Sequence, residues 1–145
     1  MKALIQRVQS ASVDIEGQRK GEIGPGILLL LGVEKTDTQA SADKLLQKIL
    51  NYRIFADTDG KMNLNLQQRE GGLLIVSQFT LVADTTKGLR PGFSKGASPA
   101  HGEALYDHFV QQAHILHPDI ATGQFGANMQ VNLTNDGPVT FILES

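Results

Sequence analysis

Two short stretches of the chain carry residue types that can do chemistry. The first, residues 76–82 (VSQFTLV), places the hydroxyls of Ser77 and Thr80 beside the amide of Gln78. A hydroxyl nucleophile needs a base within hydrogen-bonding reach, and no Gly-x-Ser-x-Gly or Ser-x-x-Lys pattern supplies one. These hydroxyls are therefore better suited to donate to a ligand than to attack it. The structural alternative is an inner strand, with Phe79 on the Ser77 side, whose hydroxyls bond to the backbone.

The second stretch is TNDGPVTFILES, in which Gly137-Pro138 separates a polar turn from an apolar run. A proline after Asp-Gly often ends a turn, and only about 5–6% of X-Pro bonds in folded proteins are cis. The pattern alone predicts a hairpin that joins strands at residues 129–133 and 139–143.

Candidate metal ligands do not form a convincing site. The DTDG sequence at residues 57–60 begins like a calcium loop, but its next ligand position is Lys61, so a hairpin turn is favoured. The chain has four histidines, on or beside a predicted helix without a His-Glu-x-x-His pattern: His101, His108, His114 and His117. We expect a solvated helix face there and neither a metal nor a cofactor.

Composition limits the class of protein. A length of 145 residues predicts one domain, residues 1–145, and the net charge of -2 gives no global attraction to nucleic acid or membrane. The chain has no cysteine, which excludes disulfides and thiolate catalysis. The start MKALIQRVQS has no signal-peptide pattern, and the longest apolar run is too short to span a bilayer. We therefore expect a cytoplasmic protein.

The apolar spacing predicts the elements that position these residues. Helical periodicity begins after Asp37 or Thr38 as N-cap, and again at Ser98-Pro99, where the helix runs to about Leu116. Alternating or continuous apolar runs predict strands at residues 3–8, 12–15, 27–31, 53–56, 62–66 and 73–81, besides the final hairpin. We expect an α+β fold, with mainly antiparallel β-sheets forming a sandwich or barrel-like core flanked by two helices. Residues 82–98 form a long aperiodic loop, and such loops are usually functional or mobile.

The chain resembles the D-aminoacyl-tRNA deacylases of the D-tyrosyl-tRNA deacylase type over essentially its whole length. The resemblance rests on SQFTL at residues 77–81 and on NDGPVT at residues 135–140, which fits Asn-x-Gly-Pro-x-Thr through Asn135 and Thr140. Further similar stretches are ALIQRV, YRIFADTDGKMNLN, LRPGFSKGASP and TGQFGANMQV.

The resemblance implies an enzyme that hydrolyses the ester between a D-amino acid, or glycine, and the terminal adenosine of tRNA. It implies a homodimer in which a cis Gly137-Pro138 enters the partner subunit's site and excludes L side chains. It assigns Ser77, Gln78 and Thr80 to catalysis. The substrate-binding residues that it suggests are Phe79, Gly137, Pro138, Arg7, Phe125 and Met129.

The reaction mechanism has two open forms. Water attack assisted by the substrate's ribose 2'-hydroxyl is favoured because no base is evident beside Thr80, and Thr80 as a covalent nucleophile is the alternative. Lys87, Arg90 and Lys95 are the expected phosphate contacts, unless they only keep the loop soluble. Neither DNA nor a membrane is an expected partner. The competing functions are a non-catalytic RNA-binding module that captures aminoacylated tRNA ends and a small-molecule esterase.

Overall fold

The computed structural model describes all residues, Met1 to Ser145. No helix in it is long and apolar enough to cross a bilayer. In chain order the elements are β1 (Lys2–Ile15), β2 (Gln18–Ile23), β3 (Gly26–Gly32), α1 (Gln39–Asn51), β4 (Phe55–Ala56), β5 (Met62–Leu64), α2 (Leu66–Arg69), β6 (Gly72–Ser77), a 3-10 turn (Phe79–Val82), α3 (Pro99–Leu116), β7 (Ile120–Thr122) and β8 (Gln130–Glu144).

A six-stranded mixed sheet forms most of the fold and curls towards a barrel. β1 pairs antiparallel with β3 along its first half, with β2 along its second half, and with β8 on its other edge. β6 adds to β3 in parallel, and β7 adds to β6 in parallel. The far edges approach each other at Gly21 of β2, where a Cβ atom would lie 2.8 Å from the carbonyl oxygen of Thr122 in β7. The expected α+β, barrel-like fold is confirmed, with a short third helix and two parallel strand pairs.

The two faces of the curled sheet bury separate apolar clusters because successive strand residues point to opposite sides. On the outer face Ile5, Leu29 and Ile75 pack beneath α1 and α3. On the inner face Val13 and Leu74 belong to a smaller cluster that fills the barrel. The strands β3 and β6 are buried on both faces, which explains their continuous apolar sequences.

The two long helices begin where their sequences predict. Thr38 caps α1 by accepting a hydrogen bond from the Ser41 N–H at 3.2 Å, and Ser98 caps α3 with Pro99 in its first turn. Their buried faces hold Ala42, Leu45, Leu46, Ile49 and Leu50 in α1, and Gly102, Leu105, Tyr106, Phe109 and Ala113 in α3. Leu116 has the spacing of the buried face but lies 38% exposed, because it is the last residue of α3.

The prediction of a strand over residues 73–81 is wrong in its second half. β6 ends at Ser77, and Phe79–Val82 turns as a 3-10 helix in which the Leu81 N–H donates to the Gln78 carbonyl at 3.2 Å. Ser77 and Phe79 therefore do not share one strand face. Apolar residues at alternate positions fit a strand or a tight turn equally, and the tertiary packing selects the turn.

The predicted final hairpin is also wrong. β8 is one strand that pairs with β1 from Gln130 to Glu144 and carries Gly137-Pro138 as an interruption within it. Similarly, the two strands expected near the N-terminus form the single strand β1. β1 and β8 pair with each other along nearly their whole lengths. Each therefore continues through polar residues that, in the sequence alone, predict a turn.

Smaller elements were not predicted, or have different bounds. The polar edge strand β2, the short β7 and the single turn α2 lack an apolar period of useful length. The strands predicted at residues 53–56 and 62–66 shrink to Phe55–Ala56 and Met62–Leu64.

The expectation of a solvated histidine face on α3 holds only in part. His117 is 3% exposed, and its Nε2 lies 2.7 Å from the Gly71 carbonyl oxygen. His101 Nε2 lies 2.9 Å from the Asp37 carbonyl oxygen, and His108 Nε2 lies 2.7 Å from Asp43 Oδ1. These three histidines join α3 to the rest of the fold, and His114 is exposed.

Candidate functional site

A cleft of about 520 Å³ opens where β3 and β6 end, between the 3-10 turn, the start of α3 and the segment before β8. We call it the main cleft. Its floor is apolar and its rim is polar, which is usual for sites that bind small organic groups. Its lining residues are Leu31, Val33, Val76, Ser77, Gln78, Phe79, Ala97, Ser98, Pro99, Gly102, Tyr106, Phe125, Gly126, Ala127, Asn128, Met129 and Val131.

The 3-10 turn forms one side of the main cleft. The Gln78 N–H donates to the Leu31 carbonyl at 2.8 Å and so continues the β3–β6 pairing by one residue before the chain turns. The Gln78 side chain then reaches forward, and its Nε2 donates to Thr80 Oγ1 at 2.6 Å. No side chain caps this turn, so its first backbone N–H groups have no partner within it.

Thr80 lies on the exposed rim and is not part of the cleft lining, unlike Ser77, Gln78 and Phe79. Its Oγ1 accepts from Gln78 Nε2 and has no contact with a carboxylate, imidazole or amine. The hydroxyl proton is therefore free to donate to a ligand, whereas a base that would remove it is absent from this chain's contacts.

Phe125 and Met129 form the opposite wall, and two glycines make room for them. A Cβ atom on Gly102 would lie 3.3 Å from the Phe125 ring, and one on Gly123 would lie 2.6 Å from the Met129 sulfur. The Phe125 ring packs at 5.9 Å, centroid to centroid, against Tyr106. Sequence reasoning identified Phe125 and Met129 but missed Tyr106, Gly102 and Gly123, because only their contacts in the fold distinguish them.

Tyr106 is buried and packs beneath the wall that Phe125 and Met129 form. Its hydroxyl donates to the Ile75 carbonyl oxygen at 2.9 Å, and burial together with the nearby Asp107 charge raises the pKa of Tyr106 above that of a free phenol. The phenol therefore stays neutral at physiological pH, and its ring packs against Phe125.

The Gly137-Pro138 peptide is cis and lies at the top of a bulge in β8. Thr140 is paired with Gln6 and Asn135 with Val8, so the four residues between them on β8 lie opposite the single residue Arg7. Two hydrogen bonds close the base of the bulge: Asn135 Nδ2 donates to Thr140 Oγ1, and the Val139 N–H donates to Asn135 Oδ1, both at 3.0 Å. Asn135 and Thr140, predicted as motif support, thus hold the bulge together.

Arg7 supports the bulge from below. Its Nε donates to the Asp136 carbonyl at 3.0 Å, and its Nη1 donates to the Ile54 carbonyl at 2.8 Å. Gly137 has a φ of +133°, and a Cβ atom there would lie 2.7 Å from the Val139 side chain and 3.1 Å from Arg7 Nη2. Glycine is therefore the residue that this position accommodates.

The bulge and the main cleft are separate within this chain. Gly137 and Pro138 are not in the cleft lining, and three strand spacings and about four residues of strand length lie between β8 at Gly137 and β6 at Ser77. Along the sheet this is roughly 20 Å. The structure thus brings Ser77, Gln78, Phe79, Phe125 and Met129 together, while Arg7, Gly137 and Pro138 form a second group.

The long loop after the 3-10 turn is held in place at several points. Asp84 and Gly92 exchange two backbone hydrogen bonds, and the Lys35 N–H donates to the Lys95 carbonyl. Phe93 packs on Phe79 with ring centroids 5.1 Å apart. Hydrogen bonds from the Thr86 side chain and backbone lower the pKa of Asp84, so its carboxylate stays ionised and keeps accepting them below the usual pH range of an aspartate.

The predicted phosphate contacts lie on this loop. The side chains of Lys87, Arg90 and Lys95 are exposed, and none forms an ion pair within the chain. They lie on the loop whose Phe93 packs on Phe79 and whose last residue before the cap of α3, Ala97, lines the main cleft.

Comparison with known proteins places the chain in a family. The sequence model described as D-Tyr-tRNA(Tyr) deacylase matches residues 4–144. The chain belongs to this deacylase family. A D-aminoacyl-tRNA deacylase of Haemophilus ducreyi is 66% identical over 144 residues, 99% of each chain. One of Pseudomonas syringae pv. tomato is 61% identical over the full length of both chains. The assignment to a family of ester hydrolases is therefore confirmed.

Solved structures of similar proteins agree with this deacylase fold. A protein titled c-Myc DNA Unwinding Element Binding Protein superposes with a TM-score of 0.96 at 41% identity, covering 100% of this chain and 99% of that one. A probable eukaryotic D-amino acid tRNA deacylase superposes with a TM-score of 0.85 at 17% identity, covering 99% and 98%. The second match shows the fold alone. The first protein's name refers to DNA, and the absence of a DNA partner for this deacylase family member stays a prediction.

Proposed function

We propose that this protein hydrolyses the ester bond of D-aminoacyl-tRNA and releases the free D-amino acid and tRNA. The observation that carries the proposal is the full-length similarity to relatives named D-aminoacyl-tRNA deacylase. A main cleft with an apolar floor, a rim of free hydrogen-bond donors and a nearby cationic loop supports the assignment. We assign the reaction to the cytoplasm, where charged tRNA is used.

Ester cleavage would take place at the 3-10 turn. The free N–H groups at the start of the turn and the Thr80 hydroxyl can donate to the oxyanion that forms when the ester carbonyl is attacked. The adenosine lies against Phe79, Phe125 and Met129. Water is the nucleophile and the ribose 2'-hydroxyl of the substrate assists it, since Thr80 contacts no base that could activate it.

The Gly137-Pro138 bulge selects chirality by excluding side chains. Its backbone is stiff because Asn135, Thr140 and Arg7 fix its base, and its carbonyl groups can accept hydrogen bonds from the substrate ammonium. An L side chain would collide with the bulge, whereas a D side chain points away from it. Glycine has no side chain to exclude, so glycine mischarged on tRNA is a second substrate of the same site.

The bulge reaches a main cleft only in a homodimer. Within one chain the two are roughly 20 Å apart along the sheet. β8 has one edge paired with β1 and no strand on its other edge, and it exposes the apolar side chains of Leu133, Phe141 and Ile142. An open strand edge with apolar side chains favours pairing with a second chain. We infer that each chain inserts Gly137-Pro138 into the main cleft of its partner.

The first experiment follows amino-acid release from D-tyrosyl-tRNA and L-tyrosyl-tRNA at sub-stoichiometric protein. We expect rapid loss of the D form, an intact L form, and hydrolysis of glycyl-tRNA. Survival of the D form together with tight binding would instead favour the RNA-binding module. Comparable cleavage of free D-tyrosine esters would favour the small-molecule esterase.

A complementation experiment tests the dimer. Ala127→Trp fills the main cleft but leaves the bulge intact, whereas Gly137→Ala disrupts the bulge but leaves the cleft intact. If each site takes its bulge from the partner, mixing the two inactive proteins restores one whole site per mixed dimer, or about a quarter of wild-type activity. Absence of any recovery after verified subunit exchange would place cleft and bulge in the same chain.

A further inference from the structure

A second cleft of about 560 Å³ lies directly behind the wall of the main cleft. We call it the side cleft. Tyr106 and Phe125 line both clefts, so the two clefts adjoin at this aromatic pair. The side cleft is lined by Lys20, Glu103, Tyr106, Asp107, Val110, Gln111, Thr122, Gly123, Gln124 and Phe125.

The polar lining of the side cleft is arranged on facing elements. Glu103, Asp107 and Gln111 follow one another at intervals of four on α3, which places them on one helix face. Lys20 on β2 and Gln124 after β7 lie across from them. All five side chains are exposed, and neither the lysine nor the two carboxylates form an ion pair within the chain. Their hydrogen-bonding groups are therefore available to a ligand.

An aromatic ring with a cleft on each side is suited to separate two neighbouring bases of a single strand. Single-stranded RNA is recognised by splaying its bases onto aromatic side chains and by hydrogen bonds to their Watson–Crick edges. Phe125 is held for this role by Tyr106, whose hydroxyl is bound to the Ile75 carbonyl, and by the space that Gly102 leaves. Tyr106 and Gly102 thus fix the position of the wall.

The charges of the side cleft favour a base with an exocyclic amine. A carboxylate accepts a hydrogen bond from the N4 amine of cytosine but repels the O4 carbonyl oxygen of uracil at the same place. The amides of Gln111 and Gln124 can donate to the ring acceptors of cytosine. Lys20 is the one cation in the lining and can bind the phosphate that follows the base.

We propose that the side cleft binds the cytidine that precedes the terminal adenosine of tRNA, with Glu103 and Asp107 reading its amine. The inference rests on the proposed function, since it places the adenosine on the other side of Phe125 in the main cleft. The site extends recognition from the aminoacyl-adenosine to the last two nucleotides of the substrate. It is distinct from the cationic loop, which meets the tRNA body.

Three small substrates test the inference: D-tyrosyl-adenosine and the D-tyrosyl esters of the dinucleotides CpA and UpA. We expect wild-type kcat/KM to be about tenfold higher for the CpA ester than for the UpA ester. In Glu103→Gln/Asp107→Asn the ratio falls to about 1. The reason is that a side-chain amide can accept a hydrogen bond from the cytosine amine or donate one to the uracil carbonyl. A general change in the charge or stability of the protein affects both esters equally, because the two dinucleotides carry the same charge. Such a change therefore leaves the ratio of the two rates unaltered.

A matched control removes two acidic charges elsewhere. Asp59→Asn/Glu70→Gln alters exposed residues outside both clefts and keeps the tenfold ratio. Equal wild-type rates on all three esters would overturn the cytidine site and leave the deacylase function intact. A preference for CpA that survives in Glu103→Gln/Asp107→Asn would also overturn it. Failure of wild type to cleave D-tyrosyl-tRNA itself would remove the proposed function, and the cytidine site with it.

Discussion

The main cleft and the Gly137-Pro138 bulge are built in opposite ways. The cleft collects residues from four distant segments, represented by Leu31, Ser77, Ser98 and Phe125. The bulge is contained in residues 135–140, closed by its own side chains and supported by Arg7. One region is a concave surface that depends on the whole fold, and the other is a convex, locally determined insert.

This difference explains how a small fold can use both. The hydrogen bonds that close the bulge lie within residues 135–140, so with Arg7 beneath it the bulge can be presented to another surface as one unit. The shape of the cleft depends instead on how four segments pack together, with its aromatic wall held by Tyr106 and Gly102. The variants below test the two regions separately, beginning with the largest expected effect.

Substitution of Thr80 tests the chemical role of the cleft. We expect Thr80→Ala to lower the single-turnover rate on D-tyrosyl-tRNA by about 10²–10³, the usual effect of removing one oxyanion donor, without abolishing hydrolysis. Thr80→Ser keeps most of the activity because it retains the hydroxyl. A Thr80→Ala protein that is folded but shows no turnover above the uncatalysed rate would support the threonine nucleophile instead.

Substitution of Gly137 tests the shape of the bulge. Gly137→Ala places a Cβ atom 2.7 Å from the Val139 side chain at a φ of +133°, so the bulge must move. A misplacement of about 1 Å in a site typically lowers kcat/KM about 100-fold, and we expect a loss of that size. Gly60→Ala is the matched control, since Gly60 also has a positive φ but has no atom within 4 Å of its Cβ position. Full activity in a folded Gly137→Ala protein would show that the bulge is not used.

Substitution of Arg7 tests the support of the bulge. Arg7→Lys keeps the positive charge but cannot donate to the Asp136 and Ile54 carbonyls together. We expect a loss of about tenfold in kcat/KM for D-tyrosyl-tRNA, together with faster cleavage of the L form as the bulge loosens. Arg53→Lys, at an exposed arginine, serves as the control and leaves both rates unchanged. Unaltered chiral selectivity in Arg7→Lys would separate Arg7 from the selection step.

Reversal of the loop charges is expected to have the smallest effect on the rate of ester cleavage. Lys87→Glu/Arg90→Glu/Lys95→Glu should reduce the slope of log KM against log salt concentration by about 2–3, since each lost phosphate contact accounts for about 0.7–0.9. The same protein should cleave D-tyrosyl-adenosine at the wild-type rate. Reversals at Lys44, Arg53 and Lys61, exposed on other surfaces, control for net charge. An unchanged salt slope would assign the three loop cations to solubility.

Prediction from sequence succeeded for elements whose structure is determined by their own residues. The N-caps Thr38 and Ser98 and the buried faces of α1 and α3 follow from periodicity and capping, which are local. It failed where a partner strand determines the outcome: β1 stabilises β8 on both sides of Gly137-Pro138, so no hairpin forms there. It also failed at the end of β6, where the chain leaves the sheet after Ser77 and turns over Gly32 of β3, against which Leu81 and Val82 pack.

The sequence by itself determined the helix positions, the continuously apolar strands and the two motifs, because these depend on neighbours within a few residues. The tertiary structure alone decided that Arg7, which lies opposite the bulge on β1, supports it. It also decided that Tyr106 and Gly102 position Phe125 between two clefts. The physical reason is that each of these contacts joins side chains whose proximity depends on strand register or helix packing, which no short stretch of sequence specifies.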